Sequence, residues 1–126
     1  MRSLVRYLQE EAGASAAEFA LVVIPFIGLV LGIVGLSMLL YANQTLQFAT
    51  EAAARYYSVQ TNLGNTPDVS AYALNAYKGP AVSPTFTPAR GGCGPNGFQV
   101  TGTGTFPLNT GLYNTSVSLQ AHACFP

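Results

Sequence analysis

Charge is what this sequence has least of. Lys and Arg number five, Asp and Glu five, the formal net charge is zero, and charged residues make up 8% of the 126 residues, against about 25% in an ordinary soluble domain. No acidic or basic field is available to attract nucleic acid or an acidic substrate. Histidine occurs once, as His122, and cysteine twice, as Cys93 and Cys124. The four-ligand clusters of zinc sites are therefore missing, and no metal is expected. The glycine-rich "RGGCGPNG" lacks the Lys-Ser/Thr end of a phosphate loop and reads as a turn. No catalytic set emerges, so the chain is not expected to be an enzyme or to hold a cofactor.

The scarce charges are also unevenly spread. None occurs between Glu18 and Glu51, and within that gap residues 19–42 are apolar apart from Ser37 and Tyr41. The run exceeds the roughly 20 residues a helix needs to cross a bilayer. It also exceeds the apolar core of a cleavable secretory signal, about 7–15 residues, and no small-residue cleavage site follows it. A membrane helix that stays in the mature protein is expected. Pro25 lies inside it, where a kink or a local unwinding is anticipated; membrane helices tolerate proline because neighbouring groups re-satisfy the freed carbonyl. Gly28 and Gly32 are four apart, and Gly35 extends the small-residue patch, a spacing that lets helices approach closely.

Beyond the apolar run, "NQTLQFATEAAARYYSV" continues the helix in amphipathic form. Ala42, Leu46, Ala49, Ala53 and Tyr56 make one stripe, and Glu51 and Arg55 stand four apart in the favourable order for a pair. Gly64 and Asn65 end this helix. A short second helix follows, with Thr66 as its N-cap, Pro67 at the first helical position, Asp68 in the first turn and Gly79 as its stop. Val69, Tyr72, Ala73 and Ala76 share its inner face. "PAVSPTFTPARGGCGPNG", with proline at 80, 84 and 88, reads as a loop.

Two strands come next. Phe98, Val100, Gly102, Gly104 and Phe106 share one parity, and Gln99, Thr101, Thr103 and Thr105 the other. Val117, Leu119, Ala121 and Ala123 likewise alternate with Ser116, Ser118, Gln120 and His122. Strict alternation means strands with one buried face, joined by the turn-rich "PLNTGLYN" into an antiparallel hairpin. His122 lies on the polar parity, where a solvated strand residue is the expected reading. Cys93 and Cys124 read as one disulfide, which requires an oxidising compartment. With Arg2 and Arg6 before the apolar run and Arg55 after it, the C-terminal half is expected outside the cytoplasm. The fold class is thus α+β: a long N-terminal transmembrane α-helix, then a small domain with a short helix and a hairpin.

Glu18 stands at the mouth of the apolar run. Insertion scales put an acidic residue at the bilayer centre at roughly 2.5–3.5 kcal/mol, and less near an interface. Its neighbours suggest why it is there. Gly13, the small residues "ASAA", then Glu18, Phe19 and a long apolar helix resemble a class III signal sequence, the pattern cut by prepilin peptidases in type IV pilins. More specifically, "GASAAEFALVVIPFIGLVLG" followed by "LLYANQTLQFATEAAARYY" resembles the TadE-like family of the tight-adherence (Tad, or Flp) pilus system. The likeness covers residues 13–57. One departure is the leader, which reads "QEEAG" where family leaders usually carry arginines beside the glycine.

The resemblance implies a type IV pilin-like fold and three segments: a leader at 1–13, a transmembrane and amphipathic helix at 14–58, and a small extracytoplasmic domain at 59–126. It implies cleavage between Gly13 and Ala14, and a role for Glu18 and Phe19 in assembly and register, Glu18 pairing with the new ammonium group of Ala14 in the same or a neighbouring subunit. Gly28, Gly32 and Gly35 would provide helix packing. The implied partners are other pilin subunits, the prepilin peptidase, the Tad assembly machinery and the membrane. The expected protein is a single-pass bacterial inner-membrane protein, a minor pilin or pseudopilin for filament initiation, surface adhesion or secretion, incorporated in an extracellular pilus. The alternative is a membrane-anchored binding or adhesin module that does not polymerise.

Overall fold

The computed structural model describes residues 2–109 and 114–126, with side chains from residue 13 onward. The order of elements is α1 (Arg2–Asn62), α2 (Val69–Ala76), β1 (Thr85–Arg90), β2 (Phe98–Asn109) and β3 (Asn114–Phe125). The chain divides into two compact units, Met1–Leu36 and Ser37–Pro126.

The first unit is helical backbone throughout its described residues. The expected local unwinding at Pro25 is absent: the helix runs through it without interruption. Helical structure also covers the segment read as a leader, whose side chains lie outside the described residues.

In the second unit, the last turns of α1 lie on a three-stranded antiparallel sheet in the order β1-β2-β3. The helix buries Ala42, Leu46, Ala49, Ala53 and Ala54 in one core with Val69 and Ala73 of α2 and Val82, Phe86, Val100, Leu119, Ala121 and Ala123 from the sheet side. The expected stripe is therefore present as far as Ala53. Its last member is Tyr57, which packs on the core and meets Phe98 edge to face at 5.1 Å, and not Tyr56. Tyr56 instead stacks on Tyr72 of α2 at 4.2 Å. The helix ends at Asn62, and Asn65 N–H donates to the Gln60 carbonyl, the six-to-one bond of a Schellman end with Gly64 in the left-handed region.

The start of α2 corrects the sequence reading. Asp68, not Thr66, caps α2: its carboxylate accepts from the Ala71 N–H at 3.1 Å and the Ser70 hydroxyl at 2.8 Å. Those bonds favour the ionised form and hold the carboxyl below its usual range. Starting the helix at Val69 keeps Val69 and Ala73 one turn apart on the buried face. The second correction is β1, which occupies "TFTPAR" inside the segment read as a loop. Proline argues against a sheet interior, but β1 is an edge strand, where Pro88 is tolerated. Residues 107–109 and 114, expected in the hairpin turn, extend the strands; the rest of that turn lies outside the described residues.

Two glycines let neighbouring segments lie close to β2: α1 and β1 at Gly102, and the chain around Val82 at Gly104. A Cβ on Gly102 would collide with Thr50 Oγ1 and lie 3.0 Å from Phe86, and one on Gly104 would lie 2.9 Å from Val82. Small residues thus line the close approaches, alanines on the helix and glycines on the strand, among larger core side chains such as Leu46, Val100 and Phe86.

Cys93 and Cys124 form the expected disulfide, with their Cα atoms 5.9 Å apart. It ties the loop before β2 to the end of β3 across 31 residues. Replacing Cys124 with Ser should destabilise this unit by roughly 2–5 kcal/mol, the usual cost in a small secreted fold. The check is protease resistance of the 37–126 region in the full-length protein; resistance equal to wild type would mean that the bond adds nothing.

Candidate assembly helix

The assembly residues expected from the sequence all lie on the N-terminal part of α1. An α-helix repeats every 3.6 residues, so Ala14 and Glu18, four apart, share a face. Gly28, Gly32 and Gly35 share a face by the same rule. None of the three has an atom within 4 Å of where its Cβ would stand, so the patch is open on this chain.

The whole segment is uncovered. From Gly13 to Leu40 every residue is exposed except Val23, Gly35 and Leu39, which are half-buried. Phe19 is 69% exposed, Leu21 75% and Ile24 71%. A soluble protein does not leave such a contiguous apolar surface in water. The helix is long and apolar enough to cross a membrane, and its most apolar window has a mean hydropathy of 2.8 with none of it buried. Lipid, other apolar helices, or both in turn must cover it.

Glu18 is exposed on this surface, and among the described residues it has no hydrogen-bond or ion-pair partner. Because α1 begins at Arg2, Glu18 is several turns inside the helix of the full chain. The positive end of the helix dipole acts within the first turn and does not reach it there. A cut after Gly13 changes this: the helix would start at Ala14, with its N–H groups and the new ammonium one turn from the carboxylate.

A second feature lies in the 37–126 unit. A groove of about 830 Å³ lies where α1, α2 and the end of β3 meet, its lining including Phe48, Arg55, Tyr56 and Val59 of α1, Tyr72 of α2 and Phe125 of β3. The expected pair of Glu51 with Arg55 is not formed. Glu51 accepts from the Gln47 amide at 3.1 Å, and the same amide reaches the His122 carbonyl at 3.3 Å. His122 is exposed on the polar parity of β3, as expected, with Nδ1 3.2 Å from the Thr101 hydroxyl. Among the described residues no group of three His, Cys, Asp or Glu side chains is placed to hold a metal ion.

Sequence reasoning missed β1 and the role of the paired glycines. The signal for the glycines was present, since Gly102 and Gly104 fall on the buried parity of "VTGTGTF", where a strand facing an ordinary layer would carry large apolar side chains.

Residues 13–55 match the family model described as TadE-like protein. The match covers the exposed apolar helix and its amphipathic continuation and stops before α2 and the sheet. It ties this segment to the pilin-like proteins associated with the Tad pilus, in keeping with the resemblance read from "GASAAEFA" and "AAARYY". No curated protein and no solved structure matches the chain.

Proposed function

We propose that the chain is a pilin-like structural subunit, a minor pilin or pseudopilin of a Tad-type pilus, processed after Gly13 and assembled through its N-terminal helix. The observation that carries this reading is an uncovered apolar helix whose TadE-like segment bears Glu18 one turn from Ala14. The precursor spans the bacterial inner membrane once with residues 59–126 outside the cytoplasm, where the disulfide is stable. The prepilin peptidase removes residues 1–13. Other pilin subunits, together with the Tad assembly machinery, then take up the apolar face, and the product serves filament initiation, surface adhesion or secretion. The role is structural rather than catalytic.

Mass measurement of protein from the native host tests this. The chain recovered from sheared filaments should begin at Ala14, and a bulky residue in place of Gly13 should leave a membrane-bound precursor. Recovery of the intact 1–13 segment on filament protein would overturn the reading.

The groove beside α1 favours a second reading, a membrane-anchored binding module that never polymerises. That reading requires only an apolar anchor, so substitutions at Glu18 would leave function unchanged.

A further inference from the structure

The two edges of the sheet differ in how they are closed. β1 is six residues long, contains Pro88, ends in Arg90 and has α2 packed against it. These are the usual devices that keep an edge from pairing with another chain. β3 has none of them. It is twelve residues long, with no proline, no lysine, no arginine and no carboxylate.

Which residues of β3 turn their main chain outward can be read from His122. Its Cα partner on β2 is Thr101. In an antiparallel ladder, opposed residues alternate between hydrogen-bonded pairs and non-hydrogen-bonded pairs, and side chains come closer in the latter. The Thr101 hydroxyl meets His122 Nδ1 at 3.2 Å, and the His122 carbonyl accepts from the Gln47 side chain of α1. Both observations make His122 a non-hydrogen-bonded position whose N–H and C=O point away from β2. With a period of two, Ser116, Ser118 and Gln120 do the same.

The far end of this edge is covered. Gln47 takes the His122 carbonyl, and the Ser58 hydroxyl donates to the Pro126 backbone oxygen at 2.9 Å. The open stretch is thus Asn114 to His122, and its midpoint is Ser118.

From this we infer that β3 is a pairing edge whose occupant is the β3 of a second copy of the chain, antiparallel and related by a two-fold axis through Ser118. This goes beyond assembly through the N-terminal helix and involves a different surface. In that register Ser118 faces Ser118 of the second copy, Ser116 faces Gln120 and Asn114 faces His122, so each outward N–H and C=O meets its complement except the His122 carbonyl, which Gln47 already holds. No charged side chain lies between residues 114 and 121, so no like charges are opposed. On the core side, half-buried Val117 meets Leu119 of the other copy and loses its remaining exposure. The pairing stops at the position where Gln47 closes the edge. The result is one continuous six-stranded sheet.

Cysteine scanning in the full-length protein, in detergent or in native membranes, tests this. The Cα atoms of a hydrogen-bonded antiparallel pair are about 5.5 Å apart, within the range of roughly 4.4–6.8 Å that a disulfide spans. Ser118→Cys should give a disulfide-linked dimer under mild oxidation, whereas Thr103→Cys, on the central strand, should not. Ser116→Cys and Gln120→Cys should form linked dimers when the two proteins are mixed, and neither should do so alone. Ser118→Pro removes one outward N–H without touching the β2 ladder and should abolish the dimer while Cys93–Cys124 remains bonded. The inference is overturned if Ser118→Cys links no better than Thr103→Cys. It is equally overturned if Ser116→Cys and Gln120→Cys each link to themselves as readily as to one another, since proximity imposed by the N-terminal helices carries no strand register.

Discussion

Placing a side chain at Gly102 should destabilise the 37–126 unit, and a large one should prevent it from folding. The site is closed from two directions. Thr50 is fully buried on α1 with its hydroxyl donating to the Leu46 carbonyl at 2.7 Å, and Phe86 of β1 is 5% exposed. A Cβ at Gly102 falls on the Thr50 hydroxyl and presses on the Phe86 ring. Thr50 cannot turn away without leaving its oxygen unsatisfied in the core, which itself costs about 1–3 kcal/mol. Overpacking a well-packed core typically costs 1–3 kcal/mol, occasionally more, and a core this small has little stability in reserve. Gly102→Ala should therefore lower stability by about 2–3 kcal/mol, and Gly102→Leu should prevent folding of the unit. Thermal proteolysis of the full-length protein reads this out, because the N-terminal helix would dominate a far-ultraviolet signal. Thr50→Ala supplies the internal check. It removes the hydroxyl that the new Cβ strikes, so the cost of Gly102→Ala should be smaller in that background, a coupling of about 0.5–3 kcal/mol. Thr103→Val, on the exposed face one residue away, should stay within about 0.5 kcal/mol of wild type. A Gly102→Ala protein as resistant as wild type would mean that the helix does not approach the strand as described.

The same position illustrates what the sequence makes legible. Alternation in "VTGTGTF" and "TSVSLQAHACF" was sufficient to find β2 and β3, because period two is a property of one strand alone. The apolar run 19–42 was as plain, and so was the buried stripe from Ala42 to Ala53. What could not be read were facts about neighbours. Gly102 and Gly104 look like weak strand residues until α1 is known to lie on the first and Val82 on the second. β1 was hidden because proline at 84 and 88 suggests a loop, and only edge position makes Pro88 compatible with pairing. The N-cap of α2 was read as Thr66 and is Asp68, both good capping residues. The decision lay in which start buries Val69 and Ala73. Nor does alternation distinguish an edge strand from a central one, so the open side of β3 carries no sequence signature. The assembly helix is the reverse case. Gly13, Glu18 and Pro25 form a linear pattern, legible without any fold, and the partners proposed for them belong to other molecules.

Glu18→Gln should leave the protein inserted and cleaved but largely excluded from filaments. Two physical situations predict opposite results. If Glu18 only rests at a hydrated interface, its charge is worth little, as for surface ion pairs in general, and the amide should be silent. If it meets the ammonium of Ala14, the outcome differs. After cleavage the two groups lie one turn apart on one helix face, and a neighbouring helix would bring its own ammonium to the same level. An ammonium brought into an apolar assembly without its carboxylate is a desolvated, unpaired charge. Breaking such a pair costs roughly 3–5 kcal/mol when fully buried, and less at an interface. Even about 1.4 kcal/mol is tenfold in an equilibrium, so incorporation should fall about tenfold or more. The glycine face of Gly28, Gly32 and Gly35 would still allow helices to come close, but small residues repeated along a helix do not select one axial offset. A buried polar group does, and setting register is the best-attested use of such groups. The measurement is the ratio of sheared, filament-bound protein to membrane protein in a strain carrying the substitution, with the N-terminus of the membrane fraction checked for Ala14. Glu18→Asp keeps the charge on a shorter arm and should recover part of the loss. Wild-type incorporation by Glu18→Gln at normal expression would remove the case for the ion pair and favour the plain membrane anchor.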